Sequence, residues 1–327
     1  MASAAQIKAL LQSHGHGDNA RFYAVALQVA AAEARAGHSK LARDIRELVE
    51  KAKGRQNEKQ ANSSILHLAQ PQGEAAELLE PIQSDLRVNN LVLTPTLKER
   101  IERIVAEQQN FNRLKEHNLR PRQRLLFTGP PGCGKTMTAS ALSTELGLPL
   151  FVIRLDTLIS RYLGDSLSKL RVIFDTANET RAIYFFDEFD SIGYTRDSPS
   201  EVGEMRRLLN SFLLFIERLS SNSLIIAATN HGQRLDKALY RRFDDLIEFG
   251  LPGDNQIKQV IQDRLAGVQS SSLSWPKVLP AAKGLSYAEI TRACEEAVKG
   301  MLISQKRRVV TQMLVDALTE RRLFLNH

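Results

Sequence analysis

Along this 327-residue chain the apolar positions fall into three successive patterns. From residue 1 to 54 they recur at helical spacing. Ile7, Leu10 and Leu11 come first, then Phe22, Val25, Ala26, Val29 and Ala30 behind a capping Asp18, then Leu41, Ile45, Leu48 and Val49. Gly37 ends the second stripe and Gly54 closes the third. This predicts an N-terminal bundle of short helices over 1–54, able to pack on itself or to present a groove to a partner. Residues 55–85 are expected to be a linker, opening on the polar run Arg55 to Ser64.

Between 86 and 252 short continuous apolar runs stand at Leu125–Phe127, Leu150–Ile153, Ile183–Phe186, Leu224–Ala228 and Leu246–Phe249. Longer stretches of helical pattern separate them. Runs of this kind suit strands covered on both faces, which predicts an α/β domain with a parallel five-stranded sheet between helical layers. From 253 to 327 the pattern is helical again, interrupted at Trp275-Pro276 and at Pro280, and predicts a small helical lid.

Composition narrows this only slightly. With 43% hydrophobic and 25% charged residues the chain reads as an ordinary globular protein, long enough to bury a core. No apolar run approaches the roughly 18–20 residues that cross a bilayer, and Met1 to Gln6 does not open a secretory signal, so the cytoplasm is expected. Cys133 and Cys294 lie far apart without metal-ligand spacing, which argues against a disulfide framework or a zinc site. The net charge of +7 raises a nucleic-acid reading. The signs are interleaved, however, as in Lys98-Glu99-Arg100, and the longest basic run is Lys306-Arg307-Arg308. That pattern is more often a solvated helix face.

The strongest chemical signal is Gly129-Pro130-Pro131-Gly132-Cys133-Gly134-Lys135-Thr136, placed between an apolar strand and a helix that opens at Met137. Its glycines let successive amides point at phosphate oxygens, and the following helix adds its positive end. Residues 129–137 are therefore the candidate nucleotide contacts, in a three-layer αβα P-loop NTPase fold. Lys135 is expected to reach the β- and γ-phosphates, and Thr136 to bind Mg²⁺. The strand Ile183–Phe186 then delivers Asp187 and Glu188 at its end. Asp187 suits the metal and Glu188 suits activation of the attacking water. A third strand ends at Asn230, whose amide can hold that water. Arg241 and Arg242 stand before the last strand as candidates to neutralise transition-state charge.

In this order the residues resemble the AAA family of ring ATPases, within the AAA+ class, over roughly residues 90–300. Gly129 to Thr136 is similar to Walker A, Asp187-Glu188 to Walker B, Asn230 to sensor 1, and Arg241-Arg242 to the family's arginine pair. Gly284-Leu285-Ser286-Tyr287-Ala288-Glu289-Ile290 resembles a stretch of its helical lid, with Tyr287 where glycine is usual. The resemblance implies ATP and Mg²⁺, arginines acting on the neighbouring subunit's nucleotide, and a homo-oligomeric ring, most often a hexamer. It places part of the adenine pocket at Asn90 to Leu93. Which of the two arginines meets the γ-phosphate is left open.

The resemblance also bears on the substrate. Tyr162-Leu163-Gly164 is similar to the family's first pore loop, and Gly193 to Ser198 falls where a second would lie. An aromatic grips an extended polypeptide without reading its sequence, and glycine lets the loop move. For Tyr162 the alternative is a core tyrosine. The expected function is thus an ATP-driven motor that remodels, unfolds or translocates protein, delivering it to a separate partner such as a protease. The chain carries neither His-Glu-x-x-His nor Gly-x-Ser-x-Gly itself. The alternative is a DNA-directed AAA+ protein, a loader or transposition helper, which an aromatic loop fits less well than a basic channel lining.

Overall fold

A computed structural model describes residues 73–158, 163–190, 199–234, 240–266 and 273–325, together with Pro71, Val268 and isolated positions between 26 and 49. The chain divides into two compact units, residues 1–68 and 69–327. In the first, the described positions Ala26, Val29 and Ala30 are helical and buried, as is Val49. These belong to the stripes read from the sequence.

The second unit begins with α1 (Glu74–Leu78) and β1 (Leu79–Ile82), followed by a 3₁₀ turn at Val88–Asn90. Then come α2 (Pro95–Gln109), α3 (Phe111–Glu116), β2 (Arg124–Thr128), α4 (Lys135–Leu146) and β3 (Leu150–Ile153). They continue as α5 (Leu155–Leu158), α6 (Leu163–Glu179), β4 (Ile183–Phe186), α7 (Pro199–Arg218), β5 (Leu224–Thr229) and β6 (Asp245–Glu248). The C-terminal helices are α8 (Asp254–Leu265), α9 (Trp275–Ala282), α10 (Tyr287–Ile303) and α11 (Thr311–Leu325).

The strands form one sheet in the order β1-β3-β4-β5-β2-β6. The five expected strands pair in parallel. Central β4 and β5 are buried at every position, as strands covered by helices on both faces must be. Alternation along the strands separates two cores. Leu126, Tyr184, Phe186, Ile225 and Ala227 face the layer that includes α6 and α7, while Leu125, Phe127, Phe185, Ile226 and Ala228 face α2 and α4.

The sheet has a sixth strand that the sequence pattern did not announce. Residues 74–82, inside the stretch expected to be a linker, form α1 and β1, and β1 pairs antiparallel with β3 in the register Leu79↔Ile153 to Ile82↔Leu150. The N–H of Arg154 also donates to the carbonyl of Leu78 at 3.0 Å. Ala75, Leu78 and Leu79 are buried among Leu155, Leu158, Leu170 and Phe174. Glu80 and Pro81 are tolerated because β1 is an edge strand, where one side needs no ladder and no apolar face.

Local chemistry sets the helix that supports the site. Thr94 caps α2 by accepting from the N–H of Leu97 at 3.3 Å, Pro95 occupies the first turn, and Leu97, Ile101, Ile104 and Gln108 form its buried face. At the far end of α4, Gly147 takes a left-handed φ of 61° and ends the helix. The four C-terminal helices enclose a separate core around Ile261, Val278, Ile290, Cys294, Leu314 and Leu318.

Candidate nucleotide site

Three adjacent strands, β4, β5 and β2, end at the same edge of the sheet. The chain leaves β2 into Gly129, β4 into Asp187 and β5 into Asn230. Ligands of open parallel sheets bind at such carboxyl ends, and the candidate residues after these three strands stand there.

The loop after β2 depends on its glycines. Gly129 has φ 144°, and a Cβ there would lie 2.0 Å from the carbonyl oxygen of Phe249, so no side chain is accommodated. Gly134, at φ 96°, caps α4 in a left-handed conformation. The bends leave the amides of the first turn of α4 without helical partners, a ready anion cradle.

Lys135 is buried, and its Nζ donates three hydrogen bonds, to the carbonyls of Gly129 at 2.7 Å and Pro130 at 3.0 Å and to Oδ1 of Asn230 at 2.8 Å. Burial lowers its pKa below the ordinary value of 10.5, against which Asp187 and Asp190 act by favouring the charged form. Cys133 is also buried, and desolvation raises its thiol, which makes it a poor nucleophile. Thr136 and Met137 are exposed at the start of α4, as are Pro130, Pro131 and Gly132 before it.

The Thr136 hydroxyl donates to Oδ2 of Asp187 at 3.0 Å. The other oxygen of that carboxylate accepts from the N–H of Glu188 at 2.9 Å. Two oxygens 3.0 Å apart fit neighbouring corners of a magnesium octahedron, whose bonds of about 2.1 Å imply an edge of about 3.0 Å. Among the described residues no group of three or more His, Cys, Asp and Glu side chains is placed to hold a metal. An ion here would therefore draw its remaining ligands from phosphate and water, as magnesium at nucleotide sites does. Glu188 is exposed, with φ at 48°, a left-handed value that few non-glycine residues adopt. This turns it out of the strand line, while the next N–H, of Phe189, returns to the carbonyl of Ala228 at 2.8 Å.

Arg241 and Arg242 stand apart from this group. Arg242 is ion-paired with Glu217 of α7, and Arg241 is exposed without an ion-pair partner among the described residues. Neither bonds to the loop, Asp187, Glu188 or Asn230. Leu163 and Gly164 open α6, and a Cβ on Gly164 would meet nothing within 4 Å among the described residues, whereas Tyr162 and residues 193–198 lie outside them. In the 90–93 segment Leu91 and Leu93 pack with the sheet and Val92 with the C-terminal helices, so it lies on the seam between them. Just before it, the N–H of Val88 is anchored by Glu145 of α4 at 3.2 Å.

Several contacts had no sequence signal. Asp190 accepts from the N–H of Asn230 at 3.4 Å, Glu217 holds Arg242, and Ala288 of α10 donates its N–H to the carbonyl of Gly132 at 3.1 Å.

A doubly covered, mainly parallel sheet with a glycine-rich loop, a buried lysine and a Thr–Asp pair at its strand ends is a P-loop NTPase. Residues 125–251 match the model of the ATPase family associated with various cellular activities (AAA). An uncharacterized AAA family ATPase of Sinorhizobium fredii is 36% identical over 94% of this chain and 92% of its own length. The chain belongs to the AAA family and is an ATPase of the AAA+ class. A putative 26S proteasome regulatory subunit homolog of Methanothermobacter marburgensis is 29% identical over 80% of this chain and 70% of its own. The ATP-dependent zinc metalloprotease FtsH of Mesoplasma florum is 29% identical, but the match spans only 38% of that protein. The crystal structure of the FIGL-1 AAA domain superposes with a TM-score of 0.61 at 23% identity, over 75% of this chain and 86% of that one, and shares the fold.

Among the described residues no helix is long and apolar enough to cross a membrane.

Proposed function

We propose that this ATPase works as a homo-oligomeric ring, a hexamer, that remodels or translocates protein substrates in the cytoplasm. The single observation that carries the reading is that the arginine pair stands apart from the cluster at the strand ends. Lys135 bonds Asn230 and Thr136 bonds Asp187, while the exposed Arg241 bonds to none of the four. Phosphoryl transfer needs positive charge on the transferring group, and an arginine from a neighbouring copy supplies it.

In this reading the amides from Gly129 to Met137 hold the phosphates, and Lys135 exchanges its internal acceptors for the β- and γ-oxygens. Thr136 and Asp187 hold Mg²⁺, which neutralises charge on the phosphates when bound. Glu188 orients and deprotonates the attacking water, and Asn230 fixes it in line. Tyr162, Leu163 and Gly164 contact the polypeptide, and the 1–54 helices recruit it or a separate partner such as a protease. Support for a protein substrate comes from the relative named as a proteasome regulatory subunit homolog and from the open surroundings of Gly164.

A DNA-directed role is the second reading, favoured by Lys306, Arg307 and Arg308, which are exposed between α10 and α11 without ion-pair partners among the described residues. The test is a Tyr162→Ala protein. It should keep its basal ATPase and lose stimulation by an unfolded polypeptide. Stimulation by DNA that survives the change, with no response to polypeptide in the parent, supports the second reading instead.

A further inference from the structure

The lid meets the phosphate loop at the start of α10, and the contact is tight. The carbonyl of Gly132 accepts from the N–H of Ala288 at 3.1 Å. A Cβ on Gly132 would lie 2.6 Å from Oγ of Ser286 and 2.9 Å from Cβ of Ala288, so the two backbones approach as closely as glycine allows. Ser286 is itself fixed as the cap of α10, accepting from the N–H of Glu289 at 3.4 Å.

The geometry has a consequence for phosphate binding. Because a peptide unit is planar and trans, its carbonyl and N–H point in opposite directions. Tying the Gly132 carbonyl to the lid aims the N–H of Cys133 away from the lid. Gly132, at φ 74°, has little of its own to resist a flip of that peptide. The orientation of one phosphate-binding amide is therefore held by α10.

At this contact α10 presents its first side chain to the sheet core. Tyr287 is half-buried and packs on both sides of the seam, against the sheet core that contains Cys133 and against the lid core. Its hydroxyl has no hydrogen-bond partner among the described residues, and burial pushes the phenol up to about 12. Its ring is therefore what it contributes.

We propose that Tyr287 is a positioning residue, a wedge that keeps the lid latched to Gly132 and so sets the rate at which nucleotide leaves. This rests on nucleotide binding at residues 129–137. Lys135→Ala separates the two ideas, since it removes binding altogether, whereas changes at Tyr287 alter release.

The experiment follows displacement of a fluorescent ADP analogue from the full chain. Tyr287→Ala should release it about tenfold faster, the equivalent of losing a modest apolar contact, and should raise KM for ATP without lowering kcat. Tyr287→Phe should stay within about twofold of the parent in release rate. If Tyr287→Ala does not fold, Tyr287→Leu replaces it and should release faster than Tyr287→Phe. A structural readout accompanies the kinetics. In a Cys294→Ala background, alkylation of Cys133 should be slowed by saturating ADP and accelerated by the Tyr287 truncation. Parent-like release from the truncated protein overturns the proposal. So does rapid release from Tyr287→Phe, which would assign the effect to the hydroxyl, and so does a fall in kcat with KM unchanged.

Discussion

Nζ of Lys135 lies 2.8 Å from Oδ1 of Asn230, so the buried lysine of the glycine-rich loop and the amide that ends β5 are in direct contact. Residues 95 positions apart in sequence are joined because β2 and β5 are neighbours with parallel register. When nucleotide enters, Lys135 must give up this acceptor. Asn230→Ala removes it and leaves the two backbone carbonyls. The variant should bind ATP as well as the parent or slightly better, while kcat falls by about two orders of magnitude through loss of the water-positioning amide. Nucleotide titration and steady-state turnover check the two halves separately.

Lys135 also gives the site a pH dependence. In the free protein burial lowers its pKa from 10.5, and bound phosphate restores the charged form. Binding then takes up a proton wherever the free lysine has lost one. Affinity should therefore fall as pH rises through the window between the lowered value and 10.5. Calorimetry in buffers of differing ionisation heat should show proton uptake in that window. Proton release would have the wrong sign.

The arginine pair is not equivalent. Glu217 engages Arg242 within the subunit and leaves Arg241 exposed. Arg241→Ala should lower the turnover of assembled protein by about 10³, the scale of an arginine finger. Arg242→Ala and Glu217→Gln should each cost far less and resemble one another. ATPase rates of the three variants, measured at concentrations where assembly is confirmed by sedimentation, decide the assignment.

Stability rests on the face of the sheet away from α4. Phe212 is fully buried, with its ring 4.7 Å from Phe189, 5.0 Å from Phe186 and 5.6 Å from Phe174. Phe212→Ala should cost about 3–5 kcal/mol, from lost transfer energy and the cavity left behind. Denaturant unfolding followed by tryptophan-independent circular dichroism measures it. Because Phe189 directly follows Glu188, turnover should also fall in protein that remains folded.

How much of this was readable beforehand follows from what each feature depends on. The central strands were visible because covering both faces demands unbroken apolar runs, as in Ile183–Phe186 and Leu224–Ala228. The loop at Gly129 to Thr136 was visible because its backbone geometry admits glycine at fixed places. Edge strands carry no such demand, so Leu79-Glu80-Pro81-Ile82 left no pattern, and β6 was read one residue late, at Leu246–Phe249 rather than Asp245–Glu248. Contacts that join distant segments through one side chain or one amide were equally silent. Glu217 with Arg242 and Ala288 with Gly132 depend on where helices pack, and nothing in the local sequence records that.

Completion of each pocket by a neighbouring copy is tested most directly by mixing inactive subunits. Glu188→Gln protein keeps its arginines but lacks the water-activating carboxylate, and the Arg241→Ala/Arg242→Ala double variant keeps the carboxylate but lacks the cation. Co-assembled, a double-variant pocket beside a Glu188→Gln subunit contains both. ATP turnover of the mixture should rise well above the sum of the separate rates, with a maximum at intermediate ratios. A mixture that never exceeds that sum at any ratio, with co-assembly verified, would contradict it.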